Sequence, residues 1–89
     1  MNQIIMIAKI FGVNCESESF MEVCKFRLLP PDDKIHYGTG YYMIVEIPHD
    51  KHLVDVRYEG TTDLEVLADK WIQNWYGENA KRVEKEFLS

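Results

Sequence analysis

Two alternating runs joined by Pro48-His49-Asp50-Lys51, followed by one apolar stripe at helical spacing, restrict this chain to a sheet with a helix lying across it. In residues 41–47 and 52–58 every second position is apolar. With Pro48 paired to Lys51 around a two-residue turn, Ile47 faces His52, Val45 faces Val54, Met43 faces Val56 and Tyr41 faces Tyr58. That face is nearly all apolar and reads as core. The reverse face carries Tyr42, Ile44, Glu46, Leu53, Asp55 and Arg57, with Tyr42 opposite Arg57, and reads as surface. Downstream, Thr62-Asp63-Leu64-Glu65 matches a capping box, in which Thr62 accepts from the Glu65 amide while Glu65 reaches back. Leu64, Leu67, Ala68, Trp71, Ile72 and Trp75 then form one stripe, and Gly77 fits a left-handed C-terminal cap. The two tryptophans read as core, with a rim of Trp75 and Tyr76 exposed beside Gly77.

The N-terminal half reads as a second hairpin. Residues 3–13 are rich in β-branched and aromatic side chains, with Ile4, Ile5, Ile7, Ile10, Phe11 and Val13. Residues 14–19 are polar and read as a turn near Ser17. From 20 to 29, Phe20, Cys24, Phe26 and Leu28 share a face opposite Lys25 and Arg27. Pro30-Pro31-Asp32-Asp33 ends this strand, because consecutive prolines cannot donate to a ladder. The loop onward through His36, Tyr37, Gly38, Thr39 and Gly40 is the longest irregular stretch and the first choice for a functional surface. Residues 79–88 fit two elements: the Lys-Arg-Val-Glu-Lys-Glu composition favours helix, while Val83 and Phe87 also share a strand face. The expected fold is α+β, a mostly antiparallel four-stranded sheet of two hairpins covered by one long amphipathic helix, with a short final helix or strand. Eighty-nine residues leave room for one compact domain, 1–89.

Fifteen acidic against ten basic side chains give a net charge of −5, which argues against a nucleic-acid backbone as the main partner. Lys81, Arg82 and Lys85 are interleaved with Glu78, Glu84 and Glu86, so this cluster is nearly neutral. The run Ile4 to Ala8 follows no positive residue, is interrupted by Lys9 and precedes no small-residue cleavage site, so it reads as strand and the protein as cytoplasmic, with no membrane partner. Cys15 falls in the first turn and Cys24 about 20 Å down the second strand at strand rise. A disulfide needs Cα atoms within roughly 7 Å, so free thiols are expected.

The chemistry-bearing motifs are sparse. His49-x-x-His52 with Asp50 and Asp55 is the nearest approach to a metal cluster, but the register aims the two imidazoles apart and no third ligand lies on the same segment. Cys15 is followed closely by Glu16 and Glu18, whose side chains disfavour a thiolate. Asp32 and Asp33 follow two prolines in a turn, and Gly38-Thr39-Gly40 leads into a strand without the Lys-Ser/Thr of a phosphate loop. No nucleophile, base and oxyanion set converges, no metal or cofactor is implied, and a non-enzymatic protein-interaction module is the leading expectation, with homo-oligomerisation through a free sheet edge included. An acidic inhibitor mimicking nucleic acid is a sub-case resting on Glu16, Glu18 and Glu22. The expected partner surface comprises His36, Tyr37, Tyr41, Tyr42, Arg57, Tyr58 and Trp75. The alternative is a small-ligand pocket between helix and sheet lined by Tyr37, Tyr41, His52, Tyr58 and Trp75, and a third reading makes His36 an acid/base in a minimal enzyme.

Overall fold

The computed structural model describes residues 4–30 and 40–88. Five antiparallel strands, β1 (Ile4–Phe11), β2 (Met21–Leu29), β3 (Tyr42–Ile47), β4 (Asp50–Asp55) and β5 (Arg82–Phe87), form one sheet in the order β4-β3-β2-β1-β5. Among the described residues there is one α-helix, α1 (Leu64–Trp75), and it crosses one face. The α+β class follows the sequence, but the sheet has five strands rather than four. Residues 82–87 are strand, which corrects the helical leaning of their composition. The ladder to β1 decides it: Ile10 pairs with Val83 and Met6 with Phe87, and hydrogen bonds along an otherwise bare edge outweigh a small difference in helix propensity.

Both hairpins form. β1 and β2 pair from Ile4–Leu28 to Phe11–Met21. Their connection starts at Gly12, whose φ of +69° suits a residue without Cβ and whose amide donates to the Phe20 carbonyl at 2.8 Å. Phe20 itself lies ahead of β2 and is exposed, outside the core face expected for it. Between β3 and β4 the turn falls one residue earlier than the sequence suggested. Pro48 and His49 are the two turn residues, His49 at φ +68°, and Ile47 pairs with Asp50. Proline's fixed φ near −65° suits the first turn position, which pulls the turn forward. The partners consequently slide by two: Val45 faces His52, Met43 faces Val54 and Tyr42 faces Asp55, not Arg57. A slip of two keeps every side chain on its expected face, so the core survived the wrong register.

The last expected stretch of β4 is instead a 3₁₀ turn at Val56–Tyr58, closed by the Asp55 carboxylate accepting from the Arg57 amide at 3.0 Å. The core lies between sheet and helix: Met6, Ala8, Ile10, Cys24, Phe26, Leu28, Met43, Val45 and Val56 from below meet Leu64, Leu67, Ala68, Ile72 and Tyr76 from above. Helix capping differs in one residue from the expected box. Asp63 rather than Thr62 is the N-cap, accepting from the Glu65 amide at 3.0 Å, and the Thr61 hydroxyl accepts from the Asp63 amide. At the other end Gly77 has the expected left-handed φ, +56°. Tyr76 is buried and only Trp75 forms the exposed rim, so half of the expected pair is corrected.

Candidate functional site

The predicted surface residues fall into two groups, one at each end of β4. His36 and Tyr37 lie outside the described residues. At the C-terminal end of β4, Tyr41 pairs with Val56 through the Val56 amide and Tyr41 carbonyl at 3.2 Å, while the 3₁₀ turn holds Arg57 and Tyr58. Arg57 donates from Nε to both Asp55 carboxylate oxygens at 3.0 Å and stacks its guanidinium 5.4 Å from the Tyr58 ring centre. That carboxylate holds the guanidinium above its ordinary pKa. Tyr58 is 81% exposed, an unusual position for a phenol ring. Gly40, Tyr41, Val56, Arg57, Gly60, Thr61 and Thr62 line a shallow cleft of ≈ 390 Å³. Gly40 is required there, since a Cβ would stand 2.5 Å from Arg57 Cγ.

At the N-terminal half of β4, α1 delivers an aromatic ledge. Trp71 and Trp75 are one helical turn apart and stack with ring centres 5.2 Å apart and planes 11° from parallel. The His52 ring meets Trp75 edge-on with centres 4.8 Å apart and lies tilted to Trp71 with centres 6.0 Å apart. Behind them Phe26 meets Trp71 edge-on at 5.6 Å, anchoring the ledge to the core. Trp75 remains 48% exposed. His52 Nε2 lies 3.3 Å from Asp50 Oδ2, yet the approach misses hydrogen-bond geometry and the nitrogen is buried without a partner. The structure thus brings His52 to Trp75, as the pocket reading required, but places Tyr41 and Tyr58 four strand positions away, roughly 13 Å. Met6, Phe26, Met43, Val45 and Ile72 fill the space between helix and sheet.

Among the described residues, no element packs on the face turned away from α1. Along it run Leu53, Ile44, Arg27 and Ile5 in one cross-strand row, and Lys51, Glu46, Lys25, Ile7 and Glu86 in the next. Met21, Val23 and Leu53 are exposed apolar side chains of this face, and Arg27 spans it to Glu46 at 2.8 Å. Over β1 and β5 an open groove of ≈ 530 Å³ is lined by Ile7, Lys9, Glu84, Lys85 and Glu86. Sequence reasoning named neither Lys51 nor Leu53 as site residues. The alternation that assigned Leu53 to the outer face was the available signal, and β4's place at the sheet edge supplied what was missing.

Among the described residues, no cluster of three or more His, Cys, Asp or Glu is arranged to hold a metal ion, and no helix is long and apolar enough to cross a membrane. Cys15 and Cys24 are both free thiols. No family model, curated protein or solved structure matches this chain.

Proposed function

We propose that this protein is a small non-enzymatic protein-interaction module. The observation that supports it best is that, among the described residues, α1 covers one face of the sheet only, while the other carries exposed apolar and charged side chains and the edge strand β4 is bordered by exposed Tyr58 and Trp75. Exposed aromatics beside arginine are the composition of interface anchors, and a half-covered antiparallel sheet offers both a face and an edge for docking. Among the described residues, the buried polar pair Cys24 and Tyr76 faces the core rather than a cleft.

The test is affinity capture of the tagged full chain from its source cells with chemical crosslinking, run in parallel with Ile44→Asp on the open face, Tyr58→Ala at the corner and Gln73→Ala on the exposed helix surface. A stoichiometric partner crosslinked to the sheet side, retained by Gln73→Ala and reduced at least about ten-fold by Ile44→Asp or Tyr58→Ala, is the expected result. Capture that is equal for all variants refutes the reading.

A further inference from the structure

We infer that the indole of Trp75, at the C-terminal end of α1, docks an arginine-bearing basic segment of a partner protein, with the Asp50 carboxylate as the second contact of the guanidinium. This rests on the interaction-module reading and states the chemistry of its partner.

The position of the indole comes first. Trp75 closes α1, and its ring stacks on Trp71 with centres 5.2 Å apart and planes 11° from parallel. His52 meets it from β4 at an interplanar angle of 62°. These neighbours hold the ring, yet the residue stays 48% exposed, so a fixed π surface is still reached by solvent. A ligand that settles on an indole already held in one rotamer does not have to order it.

The electrostatics select a cation. No basic side chain lies in the last turn of α1, so nothing in that turn offsets the negative end of the helix dipole. Over residues 59–78, the helix and its flanks, the chain carries Glu59, Asp63, Glu65, Asp69 and Glu78 against Lys70 alone. Lys70 donates to the Glu59 carbonyl at 3.0 Å, and Lys85, reaching across from β5, is taken up by Asp69 and Glu65. Among the described residues, the arginines that lie over rings are Arg57 on Tyr58 and Arg82 on Phe11. Trp75 is the aromatic type that attracts cations best, and in the single chain it has none over it.

Asp50 supplies the opposite charge. Its Oδ1 accepts from the Lys51 amide at 2.8 Å, while Oδ2 lies 3.3 Å from His52 Nε2 outside hydrogen-bond geometry and accepts no bond from the described residues. The Asp50 side chain is 60% exposed. His52 touches both groups, so carboxylate and indole stand one imidazole apart. A guanidinium laid over the indole, within about 6 Å of its centre, keeps N–H donors in its plane for Oδ2. A lysine ammonium has no plane to stack, which makes arginine the better occupant. Phosphate-bearing ligands meet repulsion from the same carboxylates, and an apolar segment would leave Asp50 without a counter-charge.

The test is two-dimensional amide NMR of the full chain titrated with a blocked peptide of alternating glycine and arginine, set against the same peptide with lysine or glutamate in place of arginine. Expected are saturable shifts of the Trp75 indole N–H and the His52 amide with the arginine peptide, weaker binding of the lysine peptide and none of the glutamate peptide. Trp75→Leu should weaken binding about two- to five-fold, Trp75→Phe by less, and Asp50→Asn by at least about two-fold. Far-UV circular dichroism reports the fold of each variant, and Trp75→Phe with Asp50→Asn keeps the test decisive where Trp75→Leu does not fold. No shift at about 5 mM arginine peptide overturns the proposal. So does binding that all three variants leave unchanged, which is general attraction to an acidic chain, or lysine peptide binding as tightly as arginine. An arginine peptide that fails, while the crosslinked capture still falls with Ile44→Asp or Tyr58→Ala, removes this inference and leaves the broader reading standing.

Discussion

Cys24 and Tyr76 are polar side chains buried together. They meet in the core with Sγ and Oη 3.3 Å apart, the thiol at 0% exposure and opposite Ala8 in the ladder. Burial pushes the Cys24 thiol upward, offset in part by the Tyr76 hydrogen bond, and burial likewise pushes the Tyr76 phenol well upward. Both groups are neutral when protonated, and both hold their protons more tightly folded than unfolded. Their contribution is therefore complete below the ordinary thiol value of 9.0 and is lost as pH rises through it and through the phenol's 10.0. Urea midpoints measured from about pH 8 to 11 should fall in the native chain, and Tyr76→Phe should flatten the upper part of that fall. At neutral pH the same substitution should cost about 1 kcal/mol, because it leaves the buried thiol without its partner. The hydrogen bond joins positions 52 residues apart, so no local pattern could announce it.

At the scale of elements, the strands and helix were legible wherever one face alone is buried. Period two in β3 and β4 and the stripe on α1 are one-sided patterns, and both were read correctly. The helix cap was not legible to the residue, because Thr62 and Asp63 are adjacent and both can cap; only backbone angles separate them. Asp63→Ala should therefore lower stability by about 1 kcal/mol in chemical denaturation, while Thr62→Ala should change it by less than about 0.5 kcal/mol. β5 was legible only as helix or strand for a related reason: all six of its residues are exposed, so it has no buried face to signal strand. The usable clue lay elsewhere, in β1. Isoleucines at 4, 5, 7 and 10 put apolar groups on both of its faces, a composition unlike that of an edge strand, where charged side chains are usual. Lys85 then ties β5 to the helix, reaching Asp69 at 2.7 Å and Glu65 at 3.3 Å, which raises its pKa chiefly through the Asp69 bond.

Over the whole molecule the charge is unevenly shared. The open face carries Lys9, Lys25, Arg27, Lys51 and Arg82 against Glu46, Asp55, Glu84 and Glu86, which is +1, so the remainder of the chain holds −6 of the total −5. The site was half legible on this scale. Composition chose Tyr41, Tyr42, Arg57, Tyr58 and Trp75, but only the topology shows that they lie at the two ends of one edge strand. Because α1 packs on residues from both hairpins, unfolding should be a single event. Urea transitions followed by tryptophan fluorescence, which reports on Trp71 and Trp75, and by far-UV circular dichroism should coincide; separated midpoints would reveal two cooperative units. The pairing of β1 with β5 has a further consequence during synthesis. Ile10 cannot meet Val83 until nearly all the residues between the first and last strands have left the ribosome. Until then β1 of the growing chain presents an isoleucine-rich edge with no strand paired to it, the condition under which a nascent polypeptide is most open to wrong pairing.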